Sequence, residues 1–488
     1  MELFFRNLLN LISILPFFSI VFYGLGDVRI TLILDFAVIF LFACFLFLLR
    51  ENFSINLSYN YEYFLVSILI SLLSYFLSPV KHIISIDFVG FLCGFIIFLL
   101  AIHQDKEINL SYIYPFLIFI VVAAVFSAFV NKGEFTSTLR NENTFAFVSI
   151  LIVGMMIEYR KFWWALIFLV IIILTRSIGA LISIMLVSFY YAFKNRKNIN
   201  LRKNAIVLII IALIFSFLVY HIDTYSVLNR VRWWGYSIDM FKERPIFGWG
   251  YSSFTYVSKR YYSVDVNSIY VHNYFLETLS DFGILFFIFW IYFLYSILRF
   301  SSGFYRYSLI ASLVHSFFDF GINTSCGWWL FMYVCGISVR NKLFVFRVGE
   351  GYRRIKFYIR IFAFGIFVMS FWMDAIYFDI YYRNRKIIEL MNQKNYQSAL
   401  RVVEDSLKKH PKSIDIALRR YEIYWLLYLK DKKFSNLVAS IESLEYLLLL
   451  NPYYRDKYKL LEELYFFIGD KKSLSDLITR EKIYLKSL

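Results

Sequence analysis

Residues 162–193 read FWWALIFLVIIILTRSIGALISIMLVSFYYAF, a long apolar run in which Arg176 is the single charged residue. Apolar blocks like its two halves recur from Phe4 to Trp372, many of them close to the about 20 residues that cross a hydrocarbon core about 30 Å thick. A backbone in lipid finds hydrogen-bond partners only within its own helix, so such blocks are predicted to be spanning helices. The sequence therefore predicts a polytopic membrane protein.

The composition excludes an ordinary soluble domain. The chain is 60% hydrophobic and 18% charged, whereas soluble domains are about half apolar and about a quarter charged. Its formal net charge is +16, but Lys and Arg concentrate in short loops and in the C-terminal segment. Membrane topology and anionic substrates explain this charge better than nucleic acid does. The four cysteines lie in apolar segments without metal or redox spacing, so no metal and no other cofactor is predicted.

We predict an all-α fold, a polytopic membrane helix bundle of about thirteen spans sized to the hydrocarbon core. The predicted spans are residues 3–23, 30–49, 63–77, 83–101, 112–130, 145–157, 162–174, 181–193, 205–220, 274–298, 307–320, 328–339 and 357–377. Lys and Arg in short loops favour the cytoplasm, so the basic loops 194–203 and 340–356 place the N-terminus inside. Alternation then places loops 131–143, 175–179 and 221–272 outside.

The chain is predicted to have two domains, a membrane domain at residues 1–380 and a small soluble helical domain at residues 381–488, which has more Lys and Glu. An odd number of spans places the second domain outside. Its residues 395–411 resemble a tetratricopeptide helix pair, in which the small Ala399 permits close packing. A weaker copy follows at 433–452. Because about three units usually make a stable array, a plain helical bundle is the alternative.

The loop 221–272 is the longest gap between predicted spans in the first 380 residues, and long ordered loops are usually functional. It carries Arg230, Arg232 and Trp234, and residues 230 and 234 lie one helical turn apart on one face. A guanidinium offers paired planar donors that suit phosphate oxygens, and it stays charged. These residues are therefore predicted to bind an anionic substrate.

The same loop contains two further candidate features. Gly248 and Gly250 would let the backbone come close to a ligand, although a simple turn explains them equally well. His272, followed by Asn273, stands at the mouth of the next predicted span. An imidazole can take up a proton near neutral pH, which makes His272 a candidate for proton transfer, with an interfacial polar residue as the alternative.

Two other predicted external loops also carry cations. Arg140 lies beside Asn143, and Arg176 lies beside Ser177 in the break between two short spans. A charge at the membrane boundary is costly, so a substrate contact is the first hypothesis. The alternatives are that Arg176 extends to the lipid headgroups and that Arg140 is simply solvated.

A late span carries a polar pair. His315 and Asp319 are four residues apart, which predicts that they share one face of the span 307–320. They are candidates for a substrate contact, and a structural pair inside the bundle is the alternative.

Several of these residues follow one another in the order of a known signature: Arg230, Trp234, Pro245, Gly248, Gly250, Phe254, His272, Asn273, Glu277 and Gly283. This order resembles the core signature of the O-antigen ligase and polymerase superfamily. Asn143 and residues 175–180 fit it more loosely, and the appended tail and the spacing of His315 and Asp319 are similar to members with such tails. Family members usually have Ser-Arg-Gly where this chain has Arg176-Ser177-Ile178-Gly179.

The resemblance implies a metal-independent glycosyltransferase of the bacterial cytoplasmic membrane. It would move a glycan from an undecaprenyl-diphosphate-linked donor to a hydroxyl of a glycan, lipid A core or protein acceptor, and direct displacement would invert the anomeric carbon. Arg230 is implied to hold the diphosphate, and His272 to assist acceptor deprotonation. Ligase and polymerase are not separated. A non-enzymatic flippase or transporter, and a scaffold that recruits protein partners through its tail, are the alternatives.

Overall fold

The structure is a computed structural model that describes residues 2–23, 28–48, 54–58, 61–80, 85–104, 109–131, 133–194, 224–261, 268–340, 343–347 and 353–485. The predicted span 205–220, His221 and the basic residues of 195–203 lie outside the described residues. Most of the described chain is helical, as the apolar blocks predict.

The helices up to residue 194 lie close to the predicted spans. They are α1 (Glu2–Tyr23), α2 (Val28–Leu48), α3 (Tyr61–Leu77), α4 (Ser85–Ala101), α5 (Tyr114–Val130), α6 (Glu142–Glu158), α7 (Phe162–Leu174) and α8 (Ile178–Lys194). Polar caps explain some of their ends. The side chain of Asn141, for example, accepts a hydrogen bond from Thr144 N–H and so starts α6 a few residues before its apolar block.

The later helices run from residue 224 into the C-terminal segment 381–488, called the tail below. They are α9 (Thr224–Glu243), α10 (Phe254–Val257), α11 (Tyr274–Phe300), α12 (Gly303–His315), α13 (Ser325–Val339), α14 (Arg353–Asn392), α15 (Tyr396–Lys409), α16 (Ile414–Asp431), α17 (Phe434–Leu450), α18 (Arg455–Ile468) and α19 (Lys471–Tyr484). The predicted loop 221–272 therefore contains a long helix, α9, ahead of an irregular segment.

Several described helices have the length and apolar composition of membrane spans. Three long ones qualify in the described part of the chain: Arg29–Leu46, Leu110–Val130 and Tyr274–Phe300. Shorter apolar helices accompany them: Asn10–Phe22, Tyr61–Leu77, Asp87–Ala101, Phe162–Leu174, Ile178–Lys194 and Ser325–Val339. The chain is thus a helical membrane protein, while the number of thirteen spans stays a prediction.

Two local features differ from the sequence prediction. Helix α12 ends at His315, so Asp319 lies in the following turn and not on a span that reaches residue 320. The Asp319 carboxylate accepts a hydrogen bond from Phe320 N–H at 2.9 Å, and such local side-chain bonds compete with helix formation. The second difference is an antiparallel pair of short strands, β1 (Ser54–Ser58) and β2 (Leu343–Arg347), inside a fold predicted to be all-α.

The connections between helices gather at two ends of the bundle. At one end, the Glu158 carboxylate accepts a hydrogen bond from Phe304 N–H at 2.7 Å, and Arg340 Nη2 lies 3.5 Å from the Tyr159 hydroxyl. Basic residues collect near these contacts: Arg160, Lys161, Arg299, Arg306 and Arg340. The opposite end, called the site end below, is covered by residues 224–261.

Helix α14 crosses the predicted boundary between the two domains without interruption. It has 40 residues, which is about 60 Å at about 1.5 Å per residue. The domain boundary predicted between residues 380 and 381 therefore lies inside a helix, because neither Pro nor Gly follows Gly365 within α14.

The helices of the tail pack in sequence order, each against the next. Ala399 is fully buried, as a close helix contact requires, and Pro411 and Pro452 each lie two residues after the end of a helix, α15 and α17. These positions agree with the helix pairs that the sequence suggested, and the tetratricopeptide assignment itself stays a prediction.

Candidate active site

Arg230, His272 and Asp319 meet at the site end, although they lie on three separate segments. Arg230 on α9 places Nη2 at 3.2 Å from Asp319 Oδ2. The Nδ1 of His272, just ahead of α11, lies 3.6 Å from Asp319 Oδ1. The Asp319 side chain is only 3% exposed, whereas Arg230 is 22% exposed. One buried carboxylate therefore connects a guanidinium and an imidazole that solvent can still reach.

The imidazole of His272 is held by two aromatic rings and by its backbone. The Trp233 ring stacks on it with centroids 4.8 Å apart, and Phe320 meets it edge-on at 4.7 Å. The φ angle of His272 is +56°, in a region that residues with a side chain rarely adopt. Such strain persists where the surroundings fix the residue, and it is frequent at functional sites.

Neighbouring polar groups fix the backbone around His272. Val271 N–H donates to Glu277 Oε2 at 3.0 Å, and Trp234 Nε1–H donates to the His272 carbonyl at 3.4 Å. The Asn273 side chain caps α11 by accepting two backbone hydrogen bonds. Trp234 and Asn273, predicted to bind substrate, thus contact the segment that presents His272.

His315 lies behind this group, fully buried. Its Nε2 is 3.4 Å from the hydroxyl oxygen of Ser177, in the break between α7 and α8. A Cβ added to Gly179 would lie 3.6 Å from the His315 ring, so the start of α8 packs directly on it. His315 therefore links the break at 175–177 to the turn that carries Asp319.

Arg176 and Arg140 are exposed at the same end of the bundle. Both have φ angles of +54°. Burial raises the pKa of the Glu142 carboxyl, Glu134 raises it further, and the Arg176 guanidinium partly offsets this increase. This interaction places the start of α6, with Arg140 and the half-buried Asn143 beside it, close to Arg176.

The backbone at Gly248 and Gly250 was predicted to come close to a ligand, and in the structure it packs closely against α11. Both have positive φ angles, and a Cβ on Gly248 would lie 2.3 Å from the Asp281 carbonyl oxygen. The amides of Gly248 and Gly250 donate to the carbonyls of Arg244 and Asp281, respectively. Because these N–H groups have partners within the protein, the turn positions the loop and has no free backbone donor for a phosphate at these residues.

The segment 245–250 also packs into a break within α11, the second break in the described helices after the one at Arg176. Gly283 in α11 has non-helical angles (φ 77°, ψ −178°), and Ile284 N–H donates to the Pro245 carbonyl at 2.7 Å. A Cβ on Gly283 would lie 2.3 Å from the Ile246 carbonyl oxygen. The sequence revealed only the break at Arg176, because a single glycine in a long apolar run does not disclose a kink.

Arg232 lies away from the group. It is exposed on α9, and two residues along a helix correspond to a rotation of about 200°. Arg230 and Arg232 therefore face different sides, and Arg230 alone of the two contacts Asp319.

The O-antigen ligase family matches residues 143–291. Searches of curated proteins and of solved structures returned no match. The match and the apolar helices support a membrane protein of the O-antigen ligase superfamily with a role in glycan transfer. The O-antigen ligase match contains Arg176, Arg230 and His272, whereas Asp319 lies beyond its end.

Sequence reasoning missed part of the surroundings of His272. Trp233 and Phe320 were not singled out, and the residues that hold the loop on α11, such as Asp281, were overlooked. Asp281 accepts hydrogen bonds from Ser252 N–H at 2.7 Å and from the Ser253 hydroxyl at 2.9 Å. An acidic residue inside an apolar span was the signal that could have indicated Asp281.

Proposed function

We propose that the chain is a membrane glycosyltransferase that moves a glycan from an undecaprenyl-diphosphate-linked donor to an acceptor hydroxyl. The observation that carries the proposal is the contact of Asp319 with both Arg230 and His272. It supplies an anion-binding group and a proton acceptor at one place, in a chain whose residues 143–291 match the O-antigen ligase family. Both groups are what displacement of a diphosphate requires.

Arg230 is the proposed ligand of the diphosphate. Only its Nη2 contacts Asp319, and a guanidinium has five N–H donors, so others remain for phosphate oxygens. The diphosphate gains negative charge as it leaves, and a fixed guanidinium in a poorly hydrated site stabilises that charge. Arg176 and Arg140 add positive charge nearby. These cations would replace the metal ion of other sugar transferases.

His272 is the proposed general base. With Nδ1 facing Asp319, the carboxylate favours the tautomer that carries its proton on Nδ1 and leaves the Nε2 lone pair for the acceptor. As the acceptor oxygen bonds to the anomeric carbon, its proton passes to Nε2 and the bond to the diphosphate oxygen breaks. Such proton transfer is worth roughly a hundredfold to ten-thousandfold in rate. Attack opposite the leaving group inverts the anomeric configuration.

An apolar cavity that extends from near the site end toward the opposite end, where Ile157 and Phe304 line it, suits the lipid chain of the donor. It has a volume of about 480 Å³ and lies between α6, α7, α8 and α12. Ala311, one helical turn before His315, and Ile172, close to the break at Arg176, are among its lining residues. The diphosphate at Arg230 would then continue into an apolar chain within the bilayer.

We place the site end on the outer face of the cytoplasmic membrane. Basic residues in short connections favour the cytoplasm. At the opposite end, Arg160, Arg306 and Arg340 lie in or beside short connections, whereas most basic residues of the site end lie in the long loop 221–272. The tail contacts residues 249–260 at the site end, so it would also be external. There it could contribute to the choice of a glycan, lipid A core or protein acceptor.

The test is transfer by the purified full chain from an undecaprenyl-diphosphate-linked oligosaccharide. A ladder of repeat units would identify a polymerase and a single capped acceptor a ligase, and both would release undecaprenyl diphosphate. EDTA should leave the rate unchanged. Absence of transfer to every acceptor class would refute the proposal, and inhibition by EDTA with rescue by magnesium would refute its metal-free mechanism.

A transporter of lipid-linked glycan is the second candidate, because helices are broken in two places, at Arg176 and at Gly283. Transporters often use such breaks to bind substrate. The break at Gly283, however, is filled by backbone of residues 245–250. The transporter would be favoured if vesicles containing the chain moved the donor across the bilayer without chemical change.

A further inference from the structure

The turn between α17 and α18, residues 451–455, inserts into the segment that covers the site end; it is called the clamp turn below. Tyr453 is 9% exposed, and its ring meets the Trp249 ring edge-on with centroids 5.6 Å apart. Arg455 is 8% exposed, and its Nη2 donates to the Arg260 carbonyl at 2.8 Å. The tail is thus joined to the loop by buried groups.

A cation–ring contact extends this junction. Lys259 Nζ lies 4.5 Å from the centre of the Tyr454 ring. Burial lowers the pKa of the Lys259 ammonium, and Asp456 partly restores it. Cation–ring contacts gain strength when water is removed, so this one belongs to a packed interface.

Tyr453 completes a small hydrophobic core of the loop. The buried members of this core are Val80, Met240, Trp249, Phe254, Val257, Tyr261, Val271 and Tyr453. Met240 lies on α9, the helix that carries Arg230, and Val271 directly precedes His272. Because protein interiors are close-packed, removal of a ring from such a core displaces its neighbours.

Polar contacts connect Arg455 to the same helix. Arg260, whose carbonyl accepts from Arg455, places its Nη1 at 2.6 Å from Glu243 Oε2. The Tyr261 hydroxyl donates to the other oxygen of Glu243 at 2.9 Å. Glu243 is the last residue of α9, so the clamp turn is linked to one end of α9 and Arg230 lies nearer the other.

We propose that Tyr453 and Arg455 are positioning residues of the transferase, which hold the loop so that Arg230 and His272 keep their places beside Asp319. The proposal rests on the proposed function and deepens it, because the tail becomes part of the machinery that orients the site. A domain that only selected an acceptor would not need to complete the core next to His272.

The test compares Tyr453→Ala and Arg455→Ala in the full chain with Tyr453→Phe and Arg455→Lys, which keep the ring and one donor. Arg401→Ala is the matched control, since Arg401 is exposed on α15 of the same domain. We expect kcat at saturating acceptor to fall by about tenfold to a hundredfold in the Ala variants, because small misplacements are costly in catalysis. The conservative variants should recover most of this loss.

Amide hydrogen exchange of residues 244–261 provides a second measurement that needs no turnover. Exchange should increase in the Ala variants and remain unchanged in Arg401→Ala. Unchanged exchange in the Ala variants would refute the positioning role of the clamp turn, even if the chain transfers glycan. If exchange increases in the Ala variants but the wild-type chain transfers no glycan, the proposed glycosyltransferase function would be wrong instead. If the Ala variants raised only the acceptor KM and kept kcat, the tail would recognise the acceptor and the proposal would be wrong.

Discussion

At the scale of single residues, the account depends on Asp319. Its carboxylate is almost fully buried and contacts two basic groups from different segments. Burial of a charge is costly unless it is paired, so the two basic groups stabilise the buried carboxylate. Without Asp319, neither the position of the Arg230 guanidinium nor the tautomer of His272 would be fixed. The residue therefore orients the site without touching the reacting atoms.

Asp319→Asn should lower kcat by roughly a hundredfold to ten-thousandfold, because an amide no longer fixes the proton of His272 on Nδ1. The KM for the acceptor should change little. Steady-state kinetics with Asp239→Asn as the control, a half-exposed aspartate on α9, would measure the difference. Wild-type kcat in Asp319→Asn would show that the carboxylate has no orienting role.

The chemistry of single residues could be predicted from the sequence, but their partners could not. Arg230 and His272 were singled out because a guanidinium and an imidazole in a long loop have few ordinary explanations, and their roles stay predictions. Their link through Asp319 depends on how the turn after α12 packs against α9 and the start of α11, which the sequence does not indicate. The sequence pointed to Trp234 and not to Trp233, whose ring stacks on His272. Neighbouring residues on a helix differ in direction by about 100°, and the sequence does not show which of the two faces His272.

At the scale of secondary-structure elements, the contact between the loop 245–250 and α11 determines how the loop is held. Gly248→Ala and Gly283→Ala would each place a Cβ at 2.3 Å from a backbone oxygen, at positive φ. We expect each to destabilise the chain by about 2–4 kcal/mol through overpacking and backbone strain. Thermal unfolding of the full chain in detergent measures this loss.

Gly235→Ala is the matched control for the two glycine variants. Gly235 lies inside α9, and a Cβ there meets no described atom within 4 Å. Alanine in place of a helical glycine should stabilise the chain by about 0.5–1 kcal/mol. If Gly248→Ala were as stable as Gly235→Ala, the loop would not be docked on α11 as described.

The contacts of Asp379, between α14 and the end of α15, predict that the stability of the chain depends on pH. Burial raises the pKa of Asp379, but hydrogen bonds from His410, Lys409 and Arg383 outweigh it and hold the pKa below its usual range. A lowered folded pKa means that this stabilisation is present above the unfolded value of about 3.9 and is lost as pH falls through the lower folded value.

Asp379→Asn should therefore lower the unfolding temperature at pH 7, by an amount that corresponds to about 1–2 kcal/mol, and by much less near pH 2. Melting curves of the full chain at both pH values, with the exposed Asp476→Asn as the control, provide the measurement. An equal loss at both pH values would contradict the ion-pair account.

The elements themselves were largely predictable. Apolar blocks fixed the helices because lipid or a buried interior permits little else, and α7 has the predicted bounds. The strands β1 and β2 were not predictable, since five-residue segments carry little signal and their pairing joins residues 54 and 347 across the chain. The sequence did not indicate the length of α14, because the change in composition near residue 380 suggested a domain boundary and not a continuous helix.

At the scale of the whole molecule, the fold brings distant parts of the chain together at one end. The break after α7, the loop with α9, the turn after α12 and the clamp turn all lie at the site end, and β1, β2 and the basic connections lie elsewhere. Charge and span parity predict alternating helix directions, and the sidedness of the chain stays a prediction. The convergence of Arg230, His272 and Asp319 could not, because it requires the packing of three segments.

In the proposed mechanism, Arg230 holds the diphosphate and His272 moves the proton, and both lie beside Asp319. The most direct measurement compares undecaprenyl diphosphate binding and single-turnover transfer in Arg230→Ala, His272→Ala and Arg232→Ala. The account predicts weaker binding in Arg230→Ala, wild-type binding with a rate lower by about a hundredfold or more in His272→Ala, and wild-type behaviour in Arg232→Ala. Wild-type transfer by either of the first two variants would contradict it.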